Sequence, residues 1–195
     1  PTESRGLGDV YKRQVYDNTL NMNWLVEAGI RYDFSHINAY KYYRTYLWED
    51  RNYDVLFPEF LVEDQGLNTL TNPKFDFHNI SSNLGVRYSI NDNENIYFNY
   101  SISSRKPNPS ELFSEGLHHS SARIEVGDLS FTSEVGNNVS LNYSFSNMKS
   151  ALTFNSFYNY VNDFIYIIPV RTTTTIAGVF PVWEYMQADA NLYGF

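Results

Sequence analysis

The chain has 195 residues, with 17 Tyr, 14 Phe, no Cys and a formal charge of −8. Lack of cysteine excludes a disulfide framework and thiolate metal sites, and an acidic chain lacks the basic footprint that nucleic acid requires. Many aromatics with few charges argue against disorder.

No apolar run approaches the roughly 18 residues of a membrane helix. A membrane strand needs only about 9–11 residues with every second one facing lipid, so a modest hydropathy does not exclude a membrane.

In chain order, residues 1–14 (PTESRGLGDVYKRQ) share neither the aromatic content nor the alternation of residues 15–195. They resemble translated linker read-through, and a non-native leader is expected there, with one unit over 15–195. Trp24, Val26, Ala28, Ile30, Tyr32 and Phe34 then alternate with Glu27, Gly29, Arg31, Asp33 and Ser35. Period two of this kind predicts a strand with one apolar face. A long excursion comes next, at 41–74. Leu84, Val86, Tyr88 and Ile90 make the next apolar stripe, the polar turn NDNEN spans 91–95, and Ile96, Phe98, Tyr100 and Ile102 return. A second excursion covers 105–133, in which Pro107 and Pro109 remove ladder donors and end the rising strand.

Val139, Leu141, Tyr143 and Phe145 alternate with Asn and Ser up to the turn NMKS at 147–150. Residues 150–168 are β-rich with a mixed pattern, 169–181 read as a third excursion with Thr172–Thr175 at its start, and Ala188, Ala190 and Leu192 alternate with Gln187, Asp189 and Asn191. No segment keeps a helical period. The fold class expected is all-β, an antiparallel transmembrane up-and-down barrel fragment of six to seven strands.

Alternation alone also fits a soluble β-sandwich adhesin or carbohydrate-binding module. The connections favour the barrel. Tight turns alternating with long excursions suit an outer-membrane barrel, whereas a sandwich calls for turn signals about every 8–12 residues. On this reading Arg87 and Asp189 face the wet lumen.

The stretch from Ser101 to Asn138 carries Arg105 and Pro107, then Glu111, Leu112 and Phe113, then Gly116, then Glu125, Gly127 and Asp128, and finally Glu134. This order resembles the signature of TonB-dependent outer-membrane receptors: Arg-x-Pro, Glu-Leu-aromatic, a glycine-containing loop, Glu-x-Gly-Asp and a Glu opening the next strand. VEAGIRYDF at 26–34 and the pair 158–169 and 182–195 are similar to further strands of that family. Ser133 stands where the family often has Pro, which bears on loop shape.

The resemblance implies a Gram-negative outer-membrane location, outer-membrane lipid around the wall, and a 22-stranded barrel blocked by a plug absent from this chain. It further implies coupling through the plug to the TonB–ExbB–ExbD complex and import of a small ligand or metal, with no enzymatic role. No nucleophile elbow, His-Glu-x-x-His or phosphate loop is present to suggest otherwise. Arg105 and Glu111 are expected to pair and hold the loop over the lumen.

His118 and His119, with Glu115 nearby, supply imidazole and carboxylate donors suited to a divalent transition metal. Together with the Gln-Ala-Asp-Ala ending they resemble a zinc-uptake branch, so zinc is the first cargo, an iron chelate such as a siderophore or haem the next, and no resident cofactor is expected. Packing or hydrogen bonding of the two His within the loop is the alternative, because adjacent side chains of an extended segment point to opposite sides.

Overall fold

The computed structural model describes residues 18–21, 23–44, 47–64 and 69–195. The leader expected over 1–14 lies outside them. Strands β1 (Asn18–Asn21), β2 (Trp24–Asn38) and β3 (Tyr42–Arg44) come first. Helices α1 (Leu47–Asp50) and α2 (Tyr53–Leu56) follow, then a 3₁₀ turn at Pro58–Phe60. Strands β4 (Leu61–Glu63), β5 (Thr69–Thr71), β6 (Lys74–Asn91) and β7 (Glu94–Arg105) lead to helix α3 (Pro109–Phe113). The chain continues through β8 (Glu115–His118), β9 (Arg123–Val126), β10 (Glu134–Ser146), β11 (Ala151–Thr175) and β12 (Gly178–Gly194).

Nine strands form one sheet in the order β1-β2-β6-β7-β10-β11-β12-β9-β8, antiparallel except where β9 joins β12. The six long strands β2, β6, β7, β10, β11 and β12 are the wall. Their register explains why the alternation is so regular. One rung runs Ala28, Leu84, Tyr100, Val139, Tyr158, Tyr193 across all six. The adjacent rung on the other face runs Gly29, Asn83, Ser101, Asn138, Asn159, Leu192. A one-residue slip would exchange the two faces, so the stripe specifies the register.

The apolar face is bare. Ile30, Ile80 and Leu152 are each more than half exposed. In a sandwich these stripes would pack against each other in a dry core, and among the described residues no second sheet covers them. This removes the adhesin alternative. Water would make such a face an association hazard, whereas lipid satisfies it.

Two tight turns close the same end. At 147–150 the Asn147 side chain accepts the amides of Lys149 and Ser150, both at 2.8 Å, an Asx turn. At the other end the three expected excursions are structured. Residues 41–74 hold two one-turn helices and a three-stranded sheet in the order β3-β5-β4. Residues 105–133 hold α3 and the β8–β9 hairpin. Residues 169–181 are no loop: β11 and β12 stay paired to Thr175–Gly178, leaving a two-residue turn. The Thr172–Thr175 run therefore lies in strand, a position that β-branched residues favour.

Candidate functional site

The first two excursions dock on the polar face, at the end away from the tight turns. Phe75 and Phe77 of β6 and Ile165 of β11 meet Trp48, Tyr53, Phe60, Leu112, Leu129 and Phe131 from the loops. These residues bury an aromatic core that the sheet alone lacks, and it fixes where the loops sit.

Two polar knots lie around this core. In the first, Arg105 ends β7 and donates from Nη1 to Glu111 Oε2 at 3.0 Å and from Nε to Glu134. Glu134 spends its other oxygen on the buried amide of Ile165, at 2.6 Å. Glu111 also accepts the Asn108 backbone N–H at 2.7 Å, the reciprocal arm of a capping box at the start of α3. Its bond to Glu134, and to a lesser degree that to Glu111, raises the Arg105 guanidinium above its usual value against the cost of burial. One cation thus joins β7, α3 and β10, and β11 through the Glu134–Ile165 bond. Gly127 closes this knot from above. A Cβ there would stand 2.5 Å from the Glu111 carbonyl oxygen, so only glycine permits the approach.

The second knot is centred on Asp128. It accepts Arg51 Nη1 at 2.6 Å, the Tyr53 hydroxyl at 2.7 Å and both the amide and hydroxyl of Ser130. Tyr53 in turn accepts the Leu129 amide at 3.0 Å. Arg51 reaches Glu184 of β12 with its other arm at 3.1 Å, and Arg171 of β11 donates to the same carboxylate at 2.6 Å. Burial pushes the Asp128 carboxyl up, but the Ser130 and Tyr53 hydrogen bonds and the Arg51 charge outweigh it and hold it below the usual range. Both knots clamp external segments to the wall, and neither presents a catalytic arrangement.

A bare apolar face, a polar face, tight turns at one end and clamped loops at the other form the signature of a membrane barrel wall. The family model described as TonB dependent receptor-like, beta-barrel matches residues 14–195. The chain belongs to the TonB-dependent receptors. No curated protein sequence matches it. Among solved structures, the receptor segment is similar to the Serratia marcescens hemophore receptor HasR, solved as a double mutant with its hemophore HasA and heme. Identity there is 15%, TM-score 0.57, covering 88% of this chain and 28% of that one. It is also similar to the copper transporter OprC, at 15% identity and TM-score 0.61, covering 89% of this chain and 23% of that one. At that identity the likeness is one of fold. The segment spans about a quarter of each chain, and its place is the outer membrane.

Within this receptor segment the residues singled out from the sequence separate into groups. Arg105, Pro107, Glu111, Gly127 and Glu134 meet at the first knot, with Pro107 fully buried. Asp128 belongs to the second knot. Glu125 is buried and takes Arg123 at 2.7 Å. Gly116 has φ 149, with open space where a Cβ would stand.

His118 ends β8 and His119 follows it, both exposed. The His118 Nδ1 lies 3.0 Å from the hydroxyls of both Ser120 and Ser121. Strand alternation puts Glu115 and His118 on opposite faces of β8. Among the described residues, no three His, Asp or Glu are grouped to hold a metal.

Arg87 lines an open hollow of about 350 Å³ on the polar face, with Glu27, Asn95, Tyr97 and Asn142. Asp189 is not beside it. Its carboxylate accepts the Tyr160 hydroxyl at 2.6 Å, and Tyr160 stands on the apolar-stripe face opposite Asn137. On β12 Asp189 alternates with Asn191 and Tyr193 on that same face, and the amide of Asp163, in the left-handed region (φ 56) where β11 bulges, also donates to it.

Sequence reading missed Arg51, Tyr53, Arg171 and Glu184. Their partners lie 13 to 133 residues away, and nothing local marks them. Asn108 was detectable, because Asn-Pro-Ser-Glu at 108–111 has the spacing of a capping box.

Proposed function

We infer that residues 15–195, without 1–14, form part of the wall and external vestibule of a receptor that imports a metal ion or metal chelate, driven through its plug by the TonB–ExbB–ExbD complex. The observation that carries this reading is the pair of knots. They hold two long external segments over the polar face, where arriving cargo would meet them, and leave the apolar face to lipid. HasR with heme and OprC with copper support a metal-bearing cargo. Zinc is the first candidate, with His118, His119 and Glu115 offering separate contacts on one hairpin and the remaining donors coming from other parts of the receptor. A siderophore or haem is next.

Calorimetry on the full-length parent receptor in detergent tests the cargo, with zinc, a ferric siderophore and haem titrated separately. Zinc binding that His118→Ala plus His119→Ala abolishes, in a barrel that remains heat-modifiable on a gel, is the expected result. Binding of a chelate alone moves the assignment to that cargo. Binding of none of the three overturns the metal reading.

A further inference from the structure

The outer face of β2 and β6 changes character above its apolar stripe. Trp24 to Phe34 spans about 33 Å of strand at about 3.3 Å per residue. Tilted at about 40°, this is a band roughly 25 Å tall, the height of an outer-membrane apolar belt. Phe34 therefore stands at the external lipid boundary, and the rungs beyond it lie among headgroups. Those rungs are Phe34 with His78, His36 with Asp76 and Asn38 with Lys74. All of them continue the face of the apolar stripe. β2 and β6 pair with each other through all of these rungs, so this surface continues the outward face of the apolar stripe below it.

The side chains here are held in place rather than merely exposed. The Tyr32 hydroxyl lies 2.6 Å from His78 Nδ1, and the Phe34 ring packs 5.0 Å from the His78 ring. With Nδ1 occupied by the hydroxyl, Nε2 is the ring nitrogen left for a further partner. Asp76 Oδ1 holds His36 at Nδ1, 2.7 Å away, and leaves Nε2 for a second partner. Lys74 brings a full positive charge at the top. Lys41, in the turn beyond, is held over the exposed Tyr40 ring.

We propose that the His36–Asp76–His78–Lys74 surface is a seat for the phosphorylated headgroup of an outer-leaflet lipid. Lys74 supplies the charge, His78 a ring nitrogen held in a fixed direction, and the aromatic pair Tyr32 and Phe34 the floor on which the first acyl and sugar groups rest. A cation at a membrane boundary attracts phosphate, and a ring held by a neighbouring strand keeps its donor aimed without further ordering.

The test uses the full-length parent receptor in detergent, titrated with bisphosphorylated lipid A and with the same lipid dephosphorylated. Binding of the phosphorylated form about tenfold tighter is expected, lost in Lys74→Ala plus His78→Ala and kept in Lys149→Ala at the opposite end. All variants should stay heat-modifiable. Equal affinity for the two lipids would mean acyl packing alone and overturns the seat. So does an equal loss in Lys149→Ala, which would mean general charge. Competition by millimolar inorganic phosphate would mark a free-anion site and overturns it too.

Discussion

At Tyr53 one hydroxyl does two jobs, donating to Asp128 and accepting the buried amide of Leu129. Tyr53→Phe leaves that amide without its partner, at a cost of about 1–3 kcal/mol. Hydrogen exchange on the full-length receptor should show faster exchange at 128–131 and at 47–60, with the tight-turn end unchanged. Asp128 adds a pH dependence of known sign. Its folded value lies below the unfolded one of about 3.9, so it stabilises the docked loops above that pH. The contribution falls away as pH drops through the lower folded value. Loop protection should therefore be flat from pH 7 to about 5 and decline below about 4. In Asp128→Asn the protection should be weaker at pH 7 and lack the acid step.

At the scale of elements, the wall strands are specified by alternation and register, and a charge tells their faces apart. Leu84 sits near mid-height on the apolar rung, and Asn83 beside it on the polar one. Leu84→Arg should destabilise insertion by about 2–4 kcal/mol, while Asn83→Arg is tolerated. Folding into lipid vesicles, followed by heat modifiability, measures both. The strands were legible in sequence because each apolar stripe repeats every second residue, from Trp24 to Phe34 and from Val139 to Phe145. The stretch 169–181 was not. Its hairpin stands outside the membrane, where no lipid imposes a stripe, and Pro169 and Pro181 sit in it like loop residues. Asp189 escaped for another reason: Ala188, Ala190 and Leu192 read as the apolar stripe, whereas the register sets Tyr193 on the apolar rung and Leu192 on the polar one, which turns Asp189 to the stripe's face.

For the molecule as a whole, the two faces and the two ends make one directional object. Lipid takes the apolar face, tight turns mark one end, and clamped segments crowd the polar face at the other. Pro107, Glu111 and Gly127 could be marked from sequence because a local motif carries them. The Arg51–Asp128–Glu184 knot could not, since its members meet only once the wall has folded. The central claim is that alternate residues see lipid and water. The segment itself has no cysteine, and any elsewhere in the receptor is first replaced by serine so that single substitutions report cleanly. The measurement is cysteine labelling of the full-length receptor in intact outer membranes, one residue at a time from Asn138 to Phe145. A water-soluble maleimide should modify positions 138, 140, 142 and 144 and spare 139, 141, 143 and 145, with a lipid-soluble reagent giving the inverse. Uniform labelling at all eight, or protection of the odd positions from both reagents as in a dry core, would contradict the account.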